Sequence, residues 1–260
     1  MMKSKVTAII QARMTSTRLP GKVLMEVMAR PLLSYQIERL RFSKRIDEII
    51  IATTTNKEDD PISEVAQKEK LNFYRGSENN VLDRYYQAAK KYNATHIMRL
   101  TADCPLIAPD ICDSIADAYF ENGVDYIRTG ETFAEGLDCE IVGFKALTKA
   151  WLEAESKSER EHVTLYIRNH PELFKTMVKE NETDDSRYRI TVDEEEDFLV
   201  VRTILENLYK GNDSYFTVRE IKSYLDSHLE VYKLNSDIIR NEGLLKSLSE
   251  DKELSKEKTC

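Results

Sequence analysis

Apolar residues along this chain fall into two alternating patterns. Short runs rich in β-branched residues are bounded by polar positions, as buried strands are, and between them lie longer stretches with an apolar stripe at helical spacing. "KVTAIIQA" (5–12), "DEIIIATTT" (47–55), "NFYRG" (72–76) and "THIMRLTAD" (95–103) are predicted strands. "PLLSYQIERLRFSK" (31–44), "DDPISEVAQKEKL" (59–71), "NNVLDRYYQAAKKYN" (79–93) and "APDICDSIADAYFENG" (108–123) are predicted helices. Asp60 is placed as an N-cap with Pro61 at the first helical position, and Gly123 closes the fourth helix. Strand and helix in this rhythm give parallel strands joined by helical crossovers, the pattern of an α/β domain.

After residue 125 the rhythm loosens. "VDYIRTGETFAEGLDCEIVGF" carries strand-like pieces around Gly130 and Gly136 and predicts a small hairpin-like excursion at about residues 125–145. "EREHVTLYIRNHPELF" predicts one helix stopped near Pro171, "RYRITVD" (187–193) a strand, "EEEDFLVVRTILENLYK" a helix with acids in its first turn, and "TVREIKSYLDSH" a helix capped by Thr217. The segment ending in "KSLSEDKELSKEKTC" is charged and poor in apolar residues, which predicts fraying or partial helix. With no repeat and no linker composition, the pattern predicts one domain over 1–230 and a charged tail over 231–260.

A net charge of −8 argues against nonspecific nucleic-acid binding, for which a basic surface is expected. No apolar run approaches the ~20 residues that span a bilayer. The N-terminal apolar stretch, Val6 to Ile10, is shorter than the ~7–15 residues of a signal peptide's apolar region, so a cytoplasmic protein is expected. Cys104, Cys112, Cys139 and Cys260 lack CxxC or CxxH spacing and are expected to be reduced and unpaired.

Against this acidic background the turn after the first strand stands out. "ARMTSTRLPGKVL" places Arg13, Arg18 and Lys22 among Thr15, Ser16 and Thr17, with Gly21 between Pro20 and Lys22. In a parallel sheet such a turn lies beyond the strands' carboxyl ends, where ligands bind. Two guanidinium forks, one ammonium, hydroxyl donors and a glycine that lets amides approach an anion suit a triphosphate. A solvated basic turn paired with nearby acids is the alternative. GxxxxGK[ST] fails at this turn, as does GxGxxG.

These residues resemble the signature of the cytidylyltransferases that activate acidic sugars: the CMP-Kdo synthetases, more loosely the CMP-sialic acid synthetases, and above all the SpsF-like branch of spore coat polysaccharide synthesis. "GSENNVLDRYYQAAKKY", "LTADCPLI", "EGLDCEI" with "EREHVTLYIRNHPELF", and "YRITVDEEEDF" follow in the family's order, so the likeness runs over about residues 5–205. It implies a Rossmann-like nucleotide-diphospho-sugar transferase fold, a mostly parallel sheet flanked by helices. It also implies transfer of CMP from CTP, with release of pyrophosphate, to an acidic sugar or related acceptor. Arg13, Ser16, Arg18, Gly21 and Lys22 would hold the triphosphate, with Arg13 and Lys22 also catalytic. Asp103 and Asp193 would be catalytic and bind Mg²⁺. The resemblance further implies a homodimer.

The residues themselves suit that chemistry. Asp103 and Asp193 each end a predicted strand, and Mg²⁺ needs only one or two protein carboxylates when phosphates and waters complete its shell. A cap of the following turn or helix is the alternative role for each. An ionised acceptor oxygen needs no general base, which agrees with only four histidines. Ser77, Glu78, Asn80 and Arg84 fall at the ligand edge after the third strand, where they can touch the base or simply cap the helix. Gly136, Asp138 and Glu140 are candidates for the acceptor pocket, and Arg160, Glu161 and His162 for a segment that closes over the acceptor or packs against a partner subunit, with a structural histidine as the alternative for His162. A nucleotidyltransferase for another base or a phosphorylated acceptor, and a non-catalytic nucleotide-binding scaffold, are the competing readings.

Overall fold

The computed structural model describes residues 6–240 and 242–257. Its strands are β1 (Val6–Gln11), β2 (Glu26–Val27), β3 (Arg30–Pro31), β4 (Ile46–Thr54), β5 (Asn72–Gly76), β6 (His96–Thr101), β7 (Tyr126–Thr129), β8 (Glu140–Gly143) and β9 (Thr176–Lys179). The α-helices are α1 (Leu32–Leu40), α2 (Asp60–Lys68), α3 (Val81–Lys91), α4 (Pro109–Asn122), α5 (Phe144–Glu153), α6 (Lys157–Glu161), α7 (Leu165–Asn169), α8 (Glu195–Leu208), α9 (Val218–Ser227), α10 (Leu229–Tyr232) and α11 (Glu242–Glu257).

Seven strands form one sheet in the order β5-β4-β1-β6-β8-β7-β9. The run β5-β4-β1-β6 is parallel, β8 is antiparallel to β6 and β7, and β9 is parallel to β7. The strand alternation separates two buried layers. Ala8, Ile10, Ile49 and Ile51 face α1, α2 and α4, while Ile9, Ile50 and Ala52 face α3 and α5. Every second side chain is thus buried on each face, which is why these strands are continuously apolar. A third cluster gathers Tyr188, Ile190 and Val192 with the apolar faces of α8 and α9.

β4 and β6 flank β1 on opposite sides, so the chain reverses its direction of travel across the sheet between β1 and β6. The crevice at that switch point, beyond the carboxyl ends, is where open α/β sheets bind ligands. The stretch at 125–145 contributes β7 and β8 to the sheet, and residues 130–139 loop out at this same edge. Gly136 lies in it at φ 101°, so close to the 190–191 main chain that a Cβ there would stand 2.5 Å from the Thr191 amide nitrogen.

Several local expectations are corrected. Residues 187–193 form no strand of the sheet. One bridge, Glu135 to Arg189, is their only β pairing among the described residues, and the Val192 amide donates instead to the Asp103 carbonyl at 2.7 Å. Residues 159–174 are not one helix: Ser156 starts α6 early through a capping box with Glu159, and Val163, at φ 45°, separates α6 from α7. Asp60 is the first residue of α2 rather than its cap, and its carboxylate pairs with Arg75 at 2.6 Å. The short β2–β3 hairpin, which turns through Met28 and Ala29 at positive φ, and the edge strand β9 have no counterpart in the sequence reading.

Cys104, Cys112 and Cys139 are buried and free, while Cys260 lies outside the described residues. No described helix is long and apolar enough to cross a membrane. Within 231–257, Val231 and Asn235 are buried, and α11 runs beside the crevice.

Candidate active site

The loop leaving β1 is shaped by its own main chain. Gly21, at φ 74°, donates its amide to the Met14 carbonyl at 2.9 Å, and the Met14 amide donates to Asp59 Oδ1 at 2.6 Å. The Gly21 N–H therefore closes the loop and is not itself offered to an anion. The amides of Thr15, Ser16, Thr17 and Arg18 have no acceptor among the described residues. Open amides in a bend beside cations make an anion cradle.

Lys22 begins a short 3-10 turn after Gly21 and is almost fully buried. Its Nζ donates to Asp193 Oδ1 at 2.6 Å and to Asp103 Oδ2 at 3.4 Å. Arg18 reaches the same Asp193 oxygen at 3.0 Å, Glu194 at 3.2 Å, and Glu242 of α11 at 3.0 Å. Arg189 Nη2 lies 3.4 Å from the other Asp193 oxygen. Burial alone would raise the Asp193 carboxyl, but Lys22, Arg18 and Arg189 outweigh it and hold that carboxyl below its usual range. Burial likewise disfavours the Lys22 ammonium, and the two aspartates outweigh that penalty and raise it. The two carboxylates and the basic loop, remote in sequence, thus meet at one point.

Around that point opens a cleft of about 730 Å³, lined by Arg13, Ser16, Arg18, Lys22, Arg84, Asp103 and Asp193 and also by Glu161 and His162. Arg13 approaches Glu78 at 3.9 Å, and Glu78 accepts hydrogen bonds from Thr15 and Asn56 that hold its carboxyl low. Arg84 is buried and donates to the Ser77 carbonyl at 2.7 Å, while burial lowers its guanidinium. Ser77 and Asn80 do not line the cleft: the Asn80 side chain caps α3 by accepting the Asp83 amide, and Ser77 Oγ accepts the Asn80 amide. Asn80 thus takes the helix-cap role, while Ser77 braces the turn that leads into the helix. His162 is pushed toward its neutral form by burial and contacts Ser247 Oγ at 3.0 Å, and Arg160 instead ties α6 to the Trp151 carbonyl.

A second cavity of about 300 Å³ adjoins the first, sharing Gln11, Arg18, Thr101, Asp103, His162 and Asp193. Gly136, Asp138 and Glu140 line it, as do Arg99, Arg128, Arg168 and Arg240. Glu140 is tied down by Arg99 at 2.7 Å, Tyr126 and Thr164. Arg128 and Arg168 have no acidic partner within salt-bridge distance among the described residues.

Gln11 was not singled out by sequence reasoning. It ends β1, lines both cavities, and buries an Oε1 with no hydrogen-bond partner among the described residues; a polar residue closing an apolar strand at the ligand edge is the signal that could have found it. Glu242 and Lys246 of α11 gave no such signal, since they look like any charges on a solvated helix.

Two carboxylate oxygens converging on one cation suit a hard divalent ion. Among the described residues no group of three or more His, Cys, Asp or Glu forms a self-sufficient metal cage. A two-carboxylate set fits Mg²⁺ that takes its remaining ligands from phosphates and water.

An open, mostly parallel sheet with cations, free amides and paired carboxylates at its switch point defines a nucleotide-handling α/β enzyme. The profile of the cytidylyltransferase family matches residues 7–233, and the chain belongs to that family. An uncharacterised protein of Methanocaldococcus jannaschii is 38% identical over 236 residues, covering 90% of this chain and 96% of its own. The spore coat polysaccharide biosynthesis protein SpsF of Bacillus subtilis is 35% identical over 205 residues, covering 76% and 85%. The solved structure of a cytidylyltransferase from Leptospira borgpetersenii superposes with a TM-score of 0.83 at 35% identity, covering 88% of this chain and 97% of that one.

Proposed function

We propose that this enzyme transfers CMP from CTP to an acidic sugar or related acceptor, with Mg²⁺, in the synthesis of a surface polysaccharide. The observation that carries the reading is the meeting of Lys22, Asp103 and Asp193 beside the open amides of the 15–18 turn. In this reading Arg13, Ser16, Arg18 and Lys22 hold the triphosphate, and Asp103 and Asp193 hold the metal. Lys22 gives up its grip on the carboxylates and turns to phosphate oxygens. The bound ion would neutralise phosphate charge.

The smaller cavity takes the acceptor, whose anionic group finds Arg128 and Arg168. The acceptor oxygen attacks the α-phosphorus in line; an O–P bond forms there as the bond to the β-phosphate oxygen breaks, and pyrophosphate leaves. Positioning and charge neutralisation do the work, and an ionised acceptor needs no general base. A soluble cytoplasmic homodimer belongs to the same reading and is tested by sedimentation.

Thermal unfolding with CTP, UTP, GTP or ATP, each with Mg²⁺, tests the base, because a ligand that binds only the native state stabilises it. CTP should give the largest shift, and pyrophosphate release with an acidic sugar should stop in EDTA. A larger shift with another triphosphate overturns the base assignment. Lys22→Ala should weaken CTP binding about ten-fold and CMP binding much less, since one phosphate-gripping charge is removed; equal losses would count against the triphosphate role.

A further inference from the structure

Nothing in the sheet fixes Asp193, because the segment that carries it makes a single β bridge. The Val192 amide ties the segment to the Asp103 carbonyl at 2.7 Å just before Asp193, and beyond that bond the position of Asp193 is set by a buried side-chain network. The Asp197 carboxylate, fully buried in the first turn of α8, accepts the Asp193 amide at 2.9 Å and the Glu194 amide at 3.0 Å. Arg189 donates to both of its oxygens, at 2.7 and 2.9 Å, and pairs with Glu135 through its other arm. The remaining donor comes from far along the chain: Asn235 Nδ2 donates to Asp197 Oδ1 at 2.8 Å and to the Arg189 carbonyl at 3.1 Å.

We propose that Asn235, acting through Asp197 and Arg189, is a positioning residue that holds Asp193 at the metal-binding point. One buried amide clamps the two ends of the 189–197 segment, joining Arg189's main chain to Asp197's side chain. Five donors on a single carboxylate leave it little freedom, so the two amides it accepts are fixed, and with them the direction of the Asp193 side chain. The same guanidinium reaches Glu135 in the wall of the smaller cavity, so one network sets the carboxylate and that wall together. An Asn at this place supplies two N–H donors and no charge. A carboxylate would set like charges against Asp197, and an aliphatic side chain would leave Asp197 short of a donor. This proposal rests on the metal-dependent reading above.

The test compares wild type with Asn235→Leu, close in volume but without donors, and with the milder Asn235→Ser. Mn²⁺ is titrated into the enzyme with CTP and read by electron paramagnetic resonance; CMP binding and turnover are measured in parallel. In Asn235→Leu the half-saturating Mn²⁺ should rise about ten-fold and turnover should fall about ten-fold, the usual scale for a residue behind a metal ligand. CMP binding should stay within about two-fold of wild type, because the 15–18 turn is untouched. If Asn235→Leu does not fold, Asn235→Ser carries the same comparison with smaller shifts. Unchanged Mn²⁺ binding and turnover in the folded variant overturn the proposal, as does a loss of CMP binding as large as the loss of metal. Wild type that takes up no Mn²⁺ with CTP overturns the metal-dependent reading itself, and this proposal with it.

Discussion

Asp103 and Asp193 meet at the same lysine ammonium, but their main chains are held by different means. Asp103 stands two residues beyond β6, a strand paired on both sides, so the sheet delivers it to the switch point. Asp193 stands at the end of an irregular segment whose position depends on Asp197, Arg189, Asn235 and the close passage of Gly136. The first carboxylate is placed by regular structure, the second by particular side chains and by main-chain bonds outside any ladder, such as that from the Val192 amide to the Asp103 carbonyl. The second should therefore be the easier to displace, and the one whose substitution disturbs the fold.

The largest effects test that contrast at the carboxylates themselves. Asp103→Asn and Asp193→Asn should each lower the rate of pyrophosphate release on the order of 10²–10³-fold, the scale of losing one charge-stabilising group in an active site. Their stabilities should diverge. Asp193→Asn removes the nearer of the two carboxylate partners of buried Lys22 and a neighbour of Arg189, and leaving buried cations short of a counter-charge is costly. Asp103 is the more exposed of the two and lies farther from Lys22, so Asp103→Asn should unfold close to wild type. Equal destabilisation would erase the distinction. Full activity of Asp103→Asn would reduce that carboxylate to a structural role.

A smaller effect probes how closely the irregular segment is packed. Gly136 and Gly211 both sit at positive φ, 101° and 108°, but only Gly136 faces main chain where a Cβ would be. Gly211→Ala meets open space and should cost only the dihedral strain, about 1 kcal/mol. Gly136→Ala must push residues 190–191 aside as well, and overpacking of this kind costs about 1–3 kcal/mol more. It should also lower turnover, because those residues lead to Asp193, whereas Gly211→Ala should leave turnover alone. Denaturant unfolding and a pyrophosphate-release assay read both.

The same contrast explains what the sequence made legible. The parallel half could be read because each of its strands is an apolar run between polar ends, and each helix has one apolar stripe. The basic loop could be read because three cations gather there in an acidic chain, and in the structure each of them has an acidic partner. The stretch 187–193 shows the limit: Arg187-Tyr188-Arg189-Ile190-Thr191-Val192 alternates as a strand does, and its apolar members do point into one cluster. Its amides, however, go to Glu135 and Asp103 rather than to a ladder, and side-chain periodicity carries no record of where amides go. Likewise the helical stripe of 159–174 says nothing of Val163's positive φ, and the sequence does not show that the Asn80 side chain accepts the Asp83 amide.

The smallest effect is a dependence on pH that reports the Lys22–Asp193 pair directly. The Asp193 carboxyl is held below its ordinary 3.8: burial opposes this, and Lys22, Arg18 and Arg189 outweigh burial. A group depressed by folding adds stability above its unfolded value and gives it up as pH falls through the folded one. Lys22 has the opposite sign. Burial lowers it, the two aspartates more than compensate, and its folded value lies above the ordinary 10.5. Its contribution is complete below 10.5 and is lost as pH rises through the folded value. Lys22→Met lacks the ammonium and with it this pairing. In nucleotide-free protein its stability deficit relative to wild type should therefore be flat across neutral pH. The deficit should narrow at the acid end, below 3.8, as Asp193 takes up its proton. It should narrow again at the alkaline end, above 10.5, as Lys22 in the wild type gives up its own. A deficit that stays constant to both ends would mean that the ammonium and the carboxylate are not paired in solution, and the point at which the two halves of the site meet would have to be sought elsewhere in the cleft.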